Sequence, residues 1–239
     1  MHPINKIAAS AALATVVIAG TALVSNSANA GTITVLNPSF ELQPPPYANG
    51  GCGTGCSYTT NEIITDWTTS GTGPGGLFDP GTTAGNFTYF NSVPNGTTVA
   101  WTNSGSISQT VSATAVAGDT YTLDVYVGFR KDIGEGGTVA LVINGLTTYA
   151  TPIGTPVQES GNWWLYTAIY TATASGPISI VLSDTTADAQ GDFDNVSLSF
   201  VTPTPLPSTW LMLLSGFVGL GFFACRRTKR NVAAALAAA

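Results

Sequence analysis

The chain has 239 residues, 13 of them acidic and 7 basic, with a formal net charge of −6, three cysteines and a single histidine. That histidine is His2, so the chain beyond its first residues can build neither a Ser-His-Asp triad, a Cys-His pair nor a histidine-ligated zinc site. All acidic residues fall between Glu41 and Asp194, where only Arg130 and Lys131 are basic, and this excess of eleven negative charges repels phosphate backbones and excludes nucleic acid as a partner.

Residues 1–30 read as a secretory signal peptide. Lys6 supplies the positive start, residues 7–24 an uncharged apolar core, and Ala28-Asn29-Ala30 a small-x-small cleavage site, so that the mature chain begins at Gly31. The expectation is export to the cell envelope, then the outer surface or the medium. About 170 residues follow before the next change of composition, enough for one domain with a sizeable core.

That domain, residues 31–201, reads as short strands between turns rich in Gly, Thr and Ser. Strands are predicted over 32–36, 62–68, 87–90, 99–102, 107–111, 121–130, 138–143, 146–150, 163–173, 178–183 and 193–201. The clearest is 121–130, where Tyr121, Leu123, Val125, Val127 and Phe129 alternate with polar residues and share one face. Asn144-Gly145 predicts a tight hairpin between two of the strands. Such short strands without a helical pattern predict an all-β fold, a jelly-roll β-sandwich of nine or ten strands.

Within it, Cys52 and Cys56 flank Gly-Thr-Gly after a run of prolines, and in an exported chain this spacing predicts a disulfide. Trp163-Trp164-Leu165-Tyr166 places adjacent tryptophans on opposite faces of one strand, so Trp163, Trp164 and Tyr166 are the leading ligand-binding candidates, with Tyr89, Trp101, Tyr126 and Arg130 as others, all weighed against a role in the core. Asp184, Asp188 and Asp192 form an acidic stretch whose spacing matches no EF-hand and which reads as a solvated loop.

Asn37-Pro38-Ser39-Phe40-Glu41, Ile64-Thr65-Asp66-Trp67, Ile107 to Val111 ahead of Gly118-Asp119, and Phe193-Asp194-Asn195-Val196 follow one another in an order that resembles the galactose-binding-like jelly rolls, including many carbohydrate-binding modules. The resemblance implies a structural calcium tying the first and last strands together, with Glu41 and Asp194 as its carboxylate ligands. The alternative is that Glu41 caps a turn and Asp194 ends a strand.

The chain closes on Pro205-Leu206-Pro207-Ser208-Thr209-Trp210, an uncharged run to Cys225, and the cations Arg226, Arg227, Lys229 and Arg230. The prolines mark a linker over 202–209, the run 210–225 a short transmembrane helix, and residues 226–239 a basic cytoplasmic tail. This arrangement resembles the PEP-CTERM sorting signal of Gram-negative envelope proteins and implies processing by an exosortase. Two other readings stand beside it: a sortase signal beginning at Leu206-Pro207-Ser208-Thr209, with Trp210 where that pattern needs Gly, and a plain membrane anchor.

The expectation for function is therefore a non-enzymatic envelope or extracellular-matrix protein, sorted through its tail and associated with polysaccharide. A free-standing carbohydrate-binding module is the alternative. A glycoside hydrolase with a carboxylate pair drawn from Asp124, Asp132, Glu135 and Glu159 is the third reading.

Overall fold

The computed structural model describes residues 29–203, apart from 44, 50, 51, 54, 62, 82–88, 134, 135 and 185–189, together with 212–222 and 226. The predicted signal peptide up to Ala28, the motif Pro205 to Trp210, and Arg227, Lys229 and Arg230 lie outside the described residues, as do Glu135, Asp188 and Cys225.

The chain divides into two units, Ala28–Thr204 and a second made of Met1–Ser27 with Pro205–Ala239. The first holds thirteen strands among the described residues: β1 (Ala30–Ile33), β2 (Ser57–Tyr58), β3 (Thr68–Gly71), β4 (Gly75–Asp79), β5 (Val99–Thr102), β6 (Gly105–Ala115), β7 (Thr120–Phe129), β8 (Thr138–Ile143), β9 (Leu146–Tyr149), β10 (Thr151–Pro152), β11 (Asn162–Thr171), β12 (Gly176–Asp184) and β13 (Gly191–Val201). They form two sheets. The larger runs β10-β11-β7-β13-β5-β4-β2, with β1 also on β13, and the smaller runs β3-β6-β12-β8-β9. The fold is a β-sandwich.

Alternation builds its core. Tyr121, Leu123, Val125, Val127 and Phe129 of β7 all point inward, where they meet Ile178, Ile180 and Leu182 of β12 and Val139, Leu141 and Ile143 of β8. Burying such side chains is worth roughly 1.5–3 kcal/mol each before entropy is counted. Asn144 and Gly145 take positive φ angles of 49° and 79°, so the predicted β8–β9 hairpin turns as its sequence requires. β13 carries a bulge between Asp194 and Ser197, with Asn195 at φ 50°. The bulge shifts the alternation, so Val196 and Leu198 face the core although Asp192 and Asp194 face away from it.

Over their described residues, two predicted strands differ from expectation. Ile64 and Trp67 are buried within a turn, with Trp67 Nε1 donating to the Asn37 carbonyl at 3.1 Å, and the strand starts only at Thr68. Tyr89 and Phe90 are irregular chain, and Phe90 is buried against the outer face of the larger sheet. In both places the apolar residues plug an end or a face of the sandwich without joining a ladder.

In the second unit, residues 212–222 are helical and mostly exposed, and the Arg226 guanidinium lies 6.0 Å from the Phe222 ring centre. Among the described residues no helix is long and apolar enough to cross a membrane, which corrects the predicted transmembrane helix. The physical reason is length, since a typical bilayer needs about 20 apolar residues.

Candidate active site

The outer face of the larger sheet carries a second apolar cluster, separate from the core and mostly aromatic. It gathers Phe78, Val99 and Trp101 from β4 and β5, and Cys56 and Phe90 from the segments above. The register explains which side chains meet there. Trp101 of β5, Asp192 of β13, Gly128 of β7 and Trp163 of β11 lie in one row across four neighbouring strands. Their sequence neighbours Ala100, Phe193, Val127 and Trp164 belong to the core side. Gly128 keeps the row open: a Cβ there would come within 2.7 Å of Phe90 and 2.9 Å of Trp163.

Between this face and the loops above it is a cavity of about 360 Å³. Tyr58, Phe78, Tyr89 and Trp101 give it aromatic walls, Cys52 stands at its edge, and Asn103, Arg130 and Gln190 are its polar lining. Cys52 and Cys56 are joined as a disulfide, with Cα atoms 5.5 Å apart. The Tyr89 hydroxyl donates to the Cys52 carbonyl at 3.2 Å, which ties this loop to the opposite wall. Phe78 and Tyr89 meet edge to face at 5.4 Å.

A polar chain runs beneath the aromatic wall. Arg130 donates from Nε and Nη2 to both Asp132 oxygens, at 2.9 and 2.7 Å, and from Nη1 to Gln190 Oε1 at 2.6 Å. Gln190 Nε2 donates in turn to Asp192 Oδ1 at 2.8 Å. Asp192 is wholly buried, and its Oδ2 has no hydrogen-bond partner among the described residues. Burial pushes its carboxyl up to about 7; the Arg130 charge and the Gln190 bond pull it down, and Asp132 and Asp184 push it up. A carboxyl with that value is part protonated at neutral pH, which suits a general acid.

The solvated-loop reading of the acidic stretch is thus corrected for two of its members, because Asp184 and Asp192 are buried at the end of β12 and the start of β13. Sequence reasoning missed Asp192 as a site residue. The available signal was its place two residues before Asp194, on the same face and beside an inward Phe193.

Glu41 and Asp194 do come together, at the loop between Phe90 and β5. Glu41 Oε1 accepts from the Thr97 and Thr98 amides at 2.8 and 2.6 Å, and Asp194 accepts from the Asn95 and Asn195 amides at 2.8 and 2.6 Å. Burial raises Asp194 to about 8, against the pull of those amides and with a further push from Glu41. Both carboxylates are committed to backbone donors, and among the described residues no group of three or more His, Cys, Asp or Glu could hold a metal ion.

Of the binding candidates, Tyr89, Trp101 and Arg130 line the cavity, Tyr126 borders another groove, and the three leading ones separate. Trp163 faces outward, 4.6 Å from Phe90, with Nε1 donating to the Ser92 carbonyl at 2.8 Å. Trp164 turns to the core and meets Phe129 edge-on at 5.2 Å, and Tyr166 packs on the core, its hydroxyl pKa raised by burial. Trp163 and Trp164 border a different groove, with Tyr126, Asn162 and Asn195. Of the suggested carboxylates, Asp124 accepts from Thr167 Oγ1 at 2.6 Å on β7 and Asp132 is paired with Arg130, while Glu135 lies outside the described residues.

Comparison with known proteins bears directly on these findings. A sequence model of the HpiC1-like family, described as HpiC1 cyclase, matches residues 31–199. No curated protein matches the chain. Among solved structures, the Stig cyclase Fisc from Fischerella sp. TAU, in complex with (3Z)-3-(1-methyl-2-pyrrolidinylidene)-3H-indole, is 21% identical with a TM-score of 0.57, covering 74% of this chain and 100% of its own. A cyclase from Fischerella sp. TAU in complex with 4-(1H-indol-3-yl)butan-2-one is 19% identical with a TM-score of 0.55 and the same coverage. At these identities the likeness shows a shared fold.

The family match overturns several expectations. The family shown is that of the β-sandwich domain and its cyclases, in place of the PEP-CTERM sorting-signal family to which the tail was likened. The expectations of a non-enzymatic matrix protein and of a carbohydrate-binding module give way to an enzyme. The expected partners, an exosortase, the membrane and a polysaccharide, give way with them, because the match is to a family of cyclases.

Proposed function

The chain belongs to the HpiC1-like family of cyclases, and from that premise we propose that it closes a ring on an apolar, unsaturated small molecule held in the aromatic cavity, with Asp192 as the proton donor. The observation that carries this reading is the wholly buried, part-protonated Asp192, cross-strand neighbour of Trp101 and hydrogen-bonded to Gln190, both of which line the cavity. The indole compounds held by the two Fischerella structures support a substrate that contains an indole-like ring.

The chemistry is an isomerisation. The Asp192 carboxyl gives its proton to a carbon–carbon double bond of the substrate, leaving a cationic carbon. A nucleophilic π bond of the same molecule attacks that carbon and forms the new C–C bond. The ring then loses a proton to the carboxylate, which restores the acid. No oxidant or reductant is needed, and product and substrate have equal mass. The rings of Tyr58, Phe78, Tyr89 and Trp101 favour the passing cation through their negative faces and exclude the water that would capture it.

The finer reading of the sandwich as a jelly roll rests on the way β6, β8 and β12 of one sheet alternate along the chain with β7, β11 and β13 of the other. Export is part of the proposal as well. It is supported by the leader read at residues 1–30, by the start of the family match at residue 31, and by the Cys52–Cys56 disulfide.

The test is incubation of the protein with indoles that bear unsaturated side chains, with products separated by chromatography and weighed. The expected result is an isomer of unchanged mass with one double bond fewer, lost in Asp192→Asn while folding is retained. Hydrolysis or oxidation products, or conversion untouched by Asp192→Asn, would count against the proposal.

A further inference from the structure

The cavity walls are rich in ring faces, and two of their ring-borne donors are already engaged. Trp101 Nε1 donates to the Leu77 carbonyl at 3.2 Å and the Tyr89 hydroxyl to the Cys52 carbonyl at 3.2 Å. Both side chains therefore offer a bound molecule π surface rather than a donor. Arg130 differs. Its side chain is 12% exposed, it lines the cavity, and its guanidinium carries five N–H bonds. Asp132 takes two of them and Gln190 a third, which leaves one on Nη1 and one on Nη2 without an acceptor among the described residues.

Its orientation is fixed. The guanidinium carbon lies 4.4 Å from the Tyr89 ring centre and 5.6 Å from that of Phe78, while the bidentate Asp132 grips one edge. A donor held in this way costs little further entropy when it binds. The charges nearby decide what it binds. Asp132 already neutralises the guanidinium, Asp192 is linked to it through Gln190, and Asp184 adds a third carboxyl to the group acting on Asp192. An anionic ligand would meet these carboxyls, whereas a neutral acceptor meets the two N–H bonds left open among the described residues without that repulsion.

Resting on the cyclase reading, we infer that Arg130 sets the specificity of the cavity. Its ligand is a neutral molecule with an aromatic body and one hydrogen-bond acceptor placed against the edge of the guanidinium that Asp132 and Gln190 leave open. The aromatic body then lies among Tyr58, Phe78, Tyr89 and Trp101.

The experiment is calorimetric titration of the full chain, wild type, Arg130→Met and Arg130→Lys, with three matched probes. These are 4-(1H-indol-3-yl)butan-2-one, 3-butylindole, which lacks the acceptor, and 3-(1H-indol-3-yl)propanoate, in which the acceptor is anionic. The wild type binds the ketone about tenfold or more tightly than either other probe, as for a hydrogen bond to a charged group. Arg130→Met lowers ketone affinity to that of 3-butylindole and leaves 3-butylindole unchanged. Arg130→Lys, which keeps the charge without the planar fork, recovers only part of the preference. Near-ultraviolet circular dichroism checks each fold, and retained 3-butylindole affinity reports an intact cavity. Equal wild-type binding of ketone and 3-butylindole, or an equal loss of both in each variant, overturns the Arg130 inference alone. Tightest binding of the propanoate overturns its neutral-acceptor part. If no probe binds the wild type, the cavity reading itself falls and takes the Arg130 inference with it.

Discussion

The two apolar clusters of this domain are built from different materials. Between the sheets, β7, β8 and β12 contribute mostly aliphatic side chains, among them Leu123, Leu141, Ile180 and Leu182, all fully buried. On the outer face of the larger sheet, rings dominate and a chain of polar groups runs beneath them. The first cluster fills its space. The second encloses a cavity and keeps a carboxyl from water beside it. One region thus serves stability, and the other accepts a buried acid, which is costly to ionise, in return for chemistry.

Substitutions should separate the two. Leu141→Ala empties part of the core and should destabilise the domain by about 2–5 kcal/mol, measured by denaturant unfolding, while probe affinity in the folded protein stays within about twofold. An equal loss of affinity would mean that the clusters are not independent.

Gly128→Ala tests the outer face. Its Cβ would collide with Phe90 and Trp163, and overpacking of this kind costs about 1–3 kcal/mol. Turnover should fall further than stability accounts for, because Phe90 would shift over the row that holds Asp192. Unchanged turnover in a destabilised variant would place the catalytic acid elsewhere.

Acidity separates the regions a third way. Asp192 and Asp194, on the outer face, have folded values of about 7 and about 8, against roughly 4 for an unfolded carboxyl. Between those limits the folded state binds more protons than the unfolded state, so their contribution is full below about pH 4, is lost as pH rises, and levels off above about 8. Relative to Asp192→Asn and Asp194→Asn, the wild-type melting temperature should drop by on the order of 10 °C from pH 4 to pH 8. Parallel curves for all three proteins would refute the raised values.

The smallest effect expected is that of Tyr89→Phe. It removes the hydroxyl bond to Cys52 and should cost about 0.5–1.5 kcal/mol, with a modest rise in KM and little change in kcat.

This contrast also explains what the sequence revealed. Period-two alternation made β7, the β8–β9 hairpin and β12 legible, since each buries one face against the opposite sheet. The same alternation on β13 was obscured by a bulge that reverses the faces after Asp194. The outer cavity depends on long-range register, Trp101 beside Asp192 beside Gly128, and on Tyr89 and Phe90 arriving from irregular chain. No local pattern carries that information. Asp192 therefore looked like a solvated acid in a polar stretch, and the basic tail, which has a strong local pattern, drew more of the functional reading than the domain did.

The most direct measurement of the central claim is the pH dependence of kcat for ring closure, in the wild type and in Asp192→Asn. If Asp192 is the acid, the wild-type rate is flat at low pH and falls about tenfold per unit above pH 7, as the carboxyl ionises. Asp192→Asn then loses 10²-fold or more in rate, on the order expected for a general acid, and the limb near pH 7 disappears from whatever rate remains. A variant that cyclises at the wild-type rate, or that keeps the same limb, would contradict the account.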